Sequence, residues 1–383
     1  TVIVNSSDST DHFEKYLDQG ADFVIRGEAE IALSELVTAI EQKKNPETIE
    51  GLVFRKEGKT FQTPKRNVMK ELDALPFAAW DLIEMERYRG IWMSNHGYFS
   101  LNMATTRGCP FKCNWCAKPI YGNRYNSRSP EKVVEELVML KDNYQYDHIW
   151  FCDDIFGLAP GWVNRFADLV KEKNLKLQYK IQSRADLLLQ ENYIADLARS
   201  GCETAWMGAE SGSQKILDAM DKGTTIDQIR QSTLMLKKYG IKPAFFLQFG
   251  YPGETVEDIE MTIQLLNELL PEDIGISVSY PLPGTKFYEN VKSELTEKQN
   301  WTDSDELALM FKNNFPAEFY KTLHQYVHRN YRKHQGYESL KRILFSPAKM
   351  RKRDFRRAAS VVYYIPAVLN GKNRLKKFEH GRN

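Results

Sequence analysis

Between Phe99 and about Leu282 the sequence alternates, six times over, a short run of β-branched and aromatic residues with a longer helical run. Consecutive parallel strands need crossovers of a dozen or more residues, and the helices in those crossovers cover the sheet, so this alternation predicts a helix-wrapped parallel sheet. The strands are read at residues 100–105, 148–152, 178–182, 204–207, 244–249 and 274–280. Ser129-Pro130-Glu131 opens a helix that runs to about Lys141, residues 161–173 form another, and Thr225 with Gln228 makes a capping box for a helix closed by Gly240. Six units are too few for a closed eightfold barrel and suit a partial (β/α)6 barrel. The strands end in polar, charged or Gly-Pro groups: Asp153-Asp154, Ser183-Arg184, Glu210-Ser211, Gly250-Tyr-Pro-Gly253 and Pro281-Leu-Pro-Gly284. Ligands of parallel α/β sheets sit beyond the carboxyl ends of strands, so a binding site is expected there.

The first strand feeds Cys109-Pro-Phe-Lys-Cys113-Asn-Trp-Cys116, which holds three of the chain's 5 cysteines. Thiolates at this spacing can hold three irons of a cuboidal iron-sulfur cluster and leave the fourth iron open. A structural zinc site would need a fourth Cys or His nearby, and the loop has none. A disulfide is also disfavoured, because Cys152 and Cys202 each sit alone in an apolar run and read as reduced, buried packing residues.

The Cys-x3-Cys-x2-Cys loop, preceded by Thr105-Thr106-Arg107-Gly108 and with Trp115 before its last cysteine, resembles the signature loop of the radical S-adenosylmethionine (SAM) superfamily. The resemblance implies a [4Fe-4S] cluster on Cys109, Cys113 and Cys116, SAM on the open iron, and reductive cleavage of SAM to a 5′-deoxyadenosyl radical. It also implies roles at the strand ends. Asp153 or Asp154 would meet the methionyl amine, although the family's Gly-Gly-Glu is absent there. Arg184 would pair with the methionyl carboxylate, as an arginine fork suits a carboxylate. Gln182 and Ser183 would reach the ribose, Glu210 and Ser211 would help hold SAM, and Phe249, Gly250, Gly253 and Trp115 would border the adenine. Phe111, Ile120 and Tyr121 would shield the cluster alongside Trp115.

Upstream, residues 2–4 and 22–25 read as strands, 11–17 and 31–41 as helices, and 51–63 as a hairpin turning at Glu57-Gly58. Residues 21–30, Ala-Asp-Phe-Val-Ile-Arg-Gly-Glu-Ala-Glu, resemble the close of the cobalamin (B12)-binding domain that often precedes a radical SAM domain. The expected organisation is a carboxyl-terminal remnant of that Rossmann-like, doubly wound domain at 1–50, a hairpin and extended linker at 51–95, the radical SAM partial barrel at 96–300, and a helical, basic region at 301–383. The cobalt-ligating Asp-x-His-x-x-Gly pattern does not occur, His12 reads as a surface or helix-start residue, and Thr1 in place of Met reads as a processed, truncated or partial chain. The likeness therefore points to the group that includes anaerobic Mg-protoporphyrin ester cyclase and hopanoid-modifying enzymes. Its implied reaction is methylation or ring modification at an unactivated carbon, with cobalamin in the full-length protein. The alternatives are a radical SAM enzyme without cobalamin, or a non-catalytic iron-sulfur or zinc module.

The net charge of +2 hides an asymmetry: residues 341–383 carry 13 Lys and Arg against 2 acids, so the rest carries 40 against 49. An acidic body without a recognition motif argues against nucleic-acid binding. The basic tail, with apolar residues 358–369, is read as packing over the barrel with a solvated basic face, or as peripheral contact with a membrane. Residues 302–340 read as helical through Phe311, Phe315, Phe319, Leu323 and Val327 at spacings of four. No uninterrupted apolar run approaches 18 residues and no signal peptide is visible, so with an oxidation-sensitive cluster the expectation is cytoplasmic. The expected partners are a small-molecule or lipid-like substrate and an electron donor such as flavodoxin or ferredoxin.

Overall fold

The computed structural model describes residues 1–118, 120–295, 307 and 310–380. The chain gathers into two compact units, residues 1–112 with 116–177, and residues 113–115 with 178–383.

In the first unit, strands β1 (Ile3–Asn5), β2 (Phe23–Ile25), β3 (Leu52–Lys56) and β4 (Lys59–Gln62) form a sheet in that order. β1 and β2 are parallel, whereas β2, β3 and β4 run antiparallel, the last two joined by the expected Glu57-Gly58 turn. The helix Glu30–Glu41 buries Ala32, Leu36 and Ala39, at helical spacing, against Ile25 and Leu52. The expected linker is more structured than extended: Met85–His96 is a helix, and the Trp80 indole donates to Glu136 Oε1 at 2.7 Å.

The same unit holds β5 (Ser100–Met103), β6 (Thr106–Arg107), β7 (Asn126–Ser127) and β8 (His148–Phe151). β5 pairs in parallel with β8, and β6 pairs antiparallel with β7, so the expected strand at 100–105 stops at Met103 and the chain re-pairs on the far side of the cysteine loop. The helix Pro130–Tyr144 starts as its sequence demands, with Ser129 Oγ accepting from Lys132 N at 3.1 Å and Pro130 in the first turn.

The second unit contributes β9 (Tyr179–Ser183), β10 (Cys202–Glu210), β11 (Lys242–Phe249) and β12 (Asp273–Val278), all in parallel register. The complete sheet has the order β12-β11-β10-β9-β8-β5, with β5 and β12 as edges. This is an open six-stranded half-barrel, as the six strand-helix units predicted. Ile181, Ala205, Met207, Ala244, Phe245 and Leu247 are buried in it.

After the barrel, the helices Ala317–Phe345 and Lys352–His380 form an antiparallel-type hairpin of neighbours. They approach closely at Gly336, where a Cβ would lie 2.3 Å from Val361 Cγ2. Helical structure thus extends beyond the predicted residue 340. Phe311 and Phe315 are not helical, because the helix begins only after Pro316; they are buried instead, Phe311 edge-on to Phe287 and Phe315 stacked on Phe319 at 4.0 Å. The parts of the predicted helix at 302–306, 308 and 309 lie outside the described residues.

Candidate cluster and cofactor site

In the first unit the loop is held open at its entrance by Asp153, just past β8. Its Oδ1 accepts from Thr105 N at 2.7 Å and Thr106 N at 2.8 Å, and Oδ2 accepts from Thr105 Oγ1 at 2.5 Å. Burial pushes the Asp153 carboxyl up to about 6, against the lowering effect of these hydrogen bonds. Oδ1 is bonded to the backbone that leads into the cysteines and Oδ2 to the Thr105 hydroxyl, so Asp153 positions the loop. Asp154, the other candidate, is exposed; desolvation raises its pKa while Lys118 opposes the rise. Gly108 has φ +79°, and a Cβ there would sit 2.2 Å from Arg124 O, so the residue before Cys109 must be glycine. Lys118 closes the loop by donating to Phe111 O and, at 2.8 Å, to Asn123 Oδ1. Arg107 pairs with Glu28 at 2.7 Å and with Glu30, tying the 21–30 segment to the loop's base. Cys109 is buried and Cys116 half-buried. Cys152, expected to be buried, is exposed, because β8 ends at Phe151 and the pleat no longer directs the next side chain inward; Cys202 is buried as expected.

In the second unit, Cys113-Asn-Trp115 docks through Asn114, a residue that the sequence reading passed over. Asn114 N donates to Met220 O at 3.0 Å, Nδ2 donates to Ala219 O at 2.6 Å, and Oδ1 accepts from Tyr251 OH at 2.9 Å. Its carbonyl accepts from Phe287 N at 3.0 Å. Trp115 packs against the buried cluster that includes Ile216, Met220 and Phe287, and its buried Nε1 has no hydrogen-bond partner.

Arg184, just past β9, is buried. Nε and Nη2 fork onto the Asp186 carboxylate at 3.0 and 3.2 Å, Nη2 also donates to Lys222 O at 2.9 Å, and Nη1 lies 3.8 Å from Cys113 Sγ. The guanidinium is therefore oriented by a partner two residues away and aimed at a thiol of the loop. Ser183 Oγ, beside it, is buried without a hydrogen-bond partner, and Gln182 is half-buried. Glu210 ends β10 in the left-handed region, φ +56°, after a shift of register between Gly208 and Glu210. Such backbone is uncommon for a non-glycine residue and persists where surroundings enforce it. The Glu210 carboxylate is held by Lys222, whose Nζ donates to Glu210 Oε1 at 2.7 Å inside the core and lies 6.0 Å from the Trp115 ring centre. Gly208 makes room for this pair, since a Cβ there would fall 2.4 Å from Glu210 Oε1.

The remaining candidates make contacts within the chain. Ser211 Oγ bonds with Thr262 Oγ1 at 3.2 Å and accepts from Ser213 N, and Phe249 is buried in the core. Gly250 and Gly253 both adopt φ +80°, shaping the turn after β11. Gly250 N donates to Glu254 Oε2 at 2.6 Å, while the buried Oε1 has no partner, and burial pushes this carboxyl up to about 8. Lys222, Asp186 and Glu254 carried no sequence signal of their own, because each acts through a tertiary partner. Among the described residues, no three Cys, His, Asp or Glu side chains are drawn together as a ready-made metal-binding group.

Residues 103–266 match the radical SAM superfamily. An uncharacterized methyltransferase of Pyrococcus horikoshii is 31% identical over 73% of this chain and 60% of its own length. The anaerobic magnesium-protoporphyrin IX monomethyl ester cyclase of Rubrivivax gelatinosus is 26% identical, over 70% of this chain and 49% of that protein. Hopanoid C-3 methylase of Methylococcus capsulatus is also 26% identical, over 88% and 63%. The chain thus spans about half to three fifths of the length of these relatives. Among solved structures, the cobalamin-dependent SAM radical enzyme OxsB, with aqua-cobalamin and SAM bound, superposes with a TM-score of 0.70 at 15% identity, over 94% of this chain and 57% of that one, a likeness of fold. The half-barrel, the three-cysteine loop after its first strand and the matched residues lead to one conclusion: residues 103–266 are a domain of the radical SAM superfamily, similar in sequence to ester cyclases and methylases.

Proposed function

We propose that this chain is the cluster- and SAM-bearing part of a cobalamin-associated radical SAM enzyme that methylates, or modifies a ring of, a small-molecule or lipid-like substrate at an unactivated carbon. The observation that carries the reading is the environment of Cys113: Asn114 clamps the loop, and the Arg184 guanidinium, itself fixed by Asp186, points an N–H at the Cys113 sulfur. The guanidinium is placed to donate a hydrogen bond to a sulfur bound to iron. Hydrogen bonds to cluster sulfurs are also a recognised control on reduction potential. Cys109, Cys113 and Cys116 would hold three irons. The donor set suits the cofactors. Ser183 Oγ and Trp115 Nε1 are buried polar atoms without partners, the condition expected where a ligand supplies them.

When bound, the reduced cluster supplies the electron that cleaves SAM to a 5′-deoxyadenosyl radical. The chain's own work is positional. Asp153 sets the entry of the loop, Asn114 anchors its middle, and Glu210 and Lys222 brace the wall beside Trp115. The sharing of Arg184 between Asp186 and Cys113 shifts its proposed role from pairing with the SAM carboxylate toward tuning the sulfur. Asp154, Gln182, Ser183 and Trp115 remain the proposed SAM contacts. A small electron-transfer protein would deliver the electron. The link to cobalamin rests on the relatives and on the 21–30 segment, and cobalamin content after expression with the vitamin supplied tests it. The core reading is tested by electron paramagnetic resonance of the anaerobically reconstituted, reduced protein. Adding SAM should change the cluster signal, and Ser183→Ala with Asp154→Asn should weaken that response; a spectrum indifferent to saturating SAM contradicts it.

A further inference from the structure

The last helix, Lys352–His380, has two apolar faces where its fold needs one. One face buries Ala358, Val361, Val368 and Leu375, at spacings of three and seven, in the hairpin with Ala317–Phe345. The opposite face carries Phe355, Ala359, Val362, Tyr363, Pro366 and Leu369. Of these, Phe355 is 55% exposed, Val362 79%, Tyr363 62% and Leu369 59%. From Ala358 to Gly371 there is no Asp, Glu, Lys or Arg at all, a charge-free stretch about 20 Å long on a helix whose outer side meets solvent. Its ends are the reverse: Arg351, Lys352 and Arg356 precede the stretch, and Lys372, Arg374 and Lys377 follow it, all exposed.

We propose that this face docks in the interfacial plane of an anionic lipid bilayer. An apolar strip of this length is too short to span the hydrocarbon core, and no helix among the described residues is long and apolar enough to cross a membrane. It suits a helix that lies flat, with the apolar side chains at the acyl boundary and the basic ends among anionic headgroups. Charge decides between occupants. A second copy would bring the same tail, with 13 Lys and Arg against 2 acids, against itself. A nucleic acid would need cations along the strip, where this helix has none.

The inference does not depend on the proposed chemistry, and its test does not use activity. The full chain is sedimented with phosphatidylcholine vesicles, with or without phosphatidylglycerol, and its mass in solution is measured by light scattering. The expected result is binding to the anionic vesicles at least about tenfold tighter than to the neutral ones, falling about tenfold or more in Val362→Glu/Leu369→Glu and weakening with salt. Should that variant fail to fold by circular dichroism, Arg356→Glu/Arg374→Glu keeps the apolar face and should lose the preference for anionic vesicles. No vesicle binding, equal binding by folded variants, or a dimer that dissociates in Val362→Glu/Leu369→Glu overturns the proposal.

Discussion

Replacing Asn114 with alanine should loosen the cysteine loop without unfolding the barrel. The wild-type side chain makes two short hydrogen bonds, Nδ2 to Ala219 O at 2.6 Å and Oδ1 from Tyr251 OH at 2.9 Å, beside a longer one from Nδ2 to Asp221 Oδ2 at 3.3 Å. Each neutral bond is worth about 1 kcal/mol net. Tyr251 OH is not stranded by the change, because Ala219 O lies 3.0 Å away and can accept from it. The loss is therefore about 2 kcal/mol, which is about thirtyfold in the docked-to-undocked equilibrium of residues 113–115. Two backbone bonds, Asn114 N to Met220 O and Phe287 N to Asn114 O, keep the loop near its place. Stopped-flow transfer of iron from reconstituted protein to a chelator reads this equilibrium when opening limits release. Asn114→Ala should release iron about thirtyfold faster, and Tyr251→Phe, which loses one bond, about fivefold faster. Wild-type release rates in both variants would refute the clamp.

Three further substitutions probe the other supports. Lys222→Met leaves the Glu210 carboxylate buried and unpaired, and should cost about 3–5 kcal/mol in denaturant unfolding, whereas Glu210→Gln/Lys222→Met should recover much of it; equal losses in the two would contradict the pairing. Glu254 has a folded pKa of about 8 against an ordinary 4.5, so the stability it lends is complete below pH 4.5 and is lost as pH rises through 8. Relative to Glu254→Gln, wild-type stability should fall by about 1.4 kcal/mol per pH unit across that window, and parallel pH profiles would show that the carboxyl is not held neutral. Gly108→Ala should leave the circular dichroism spectrum intact while iron loading collapses, because a Cβ meets Arg124 O at 2.2 Å directly before Cys109; normal loading would show that the loop entrance adapts.

The alternation of strand and helix made the half-barrel legible, since periodicity and capping are local properties. Ser129, Thr225 and Pro130 act where their sequence positions indicate. What escaped local reading has tertiary causes. Nothing near Glu210 announces a left-handed residue whose carboxylate is held by Lys222, and β10 runs through it rather than stopping at Met207. Asp153 drew notice as a ligand because it follows a strand, and its bonds to the Thr105 and Thr106 amides and the Thr105 hydroxyl, 47 and 48 residues earlier, could not be read locally. Asn114 sits between two cysteines that drew the attention, and its partners lie more than a hundred residues away. Phe311 and Phe315 kept helical spacing, but Pro316 was the available sign that a helix starts after them. The two faces of the last helix could be counted from the absence of charge between Ala358 and Gly371, although only packing shows which face is covered.

The central claim is that Cys109, Cys113 and Cys116 hold a cluster whose open iron activates SAM. The most direct measurement is anaerobic reconstitution with iron and sulfide, reduction with dithionite, and quantification of 5′-deoxyadenosine after addition of SAM. The account predicts cleavage by the wild-type chain and its loss in each of Cys109→Ala, Cys113→Ala and Cys116→Ala, with Cys152→Ala and Cys202→Ala retaining it. Undiminished cleavage in Cys113→Ala would contradict the account.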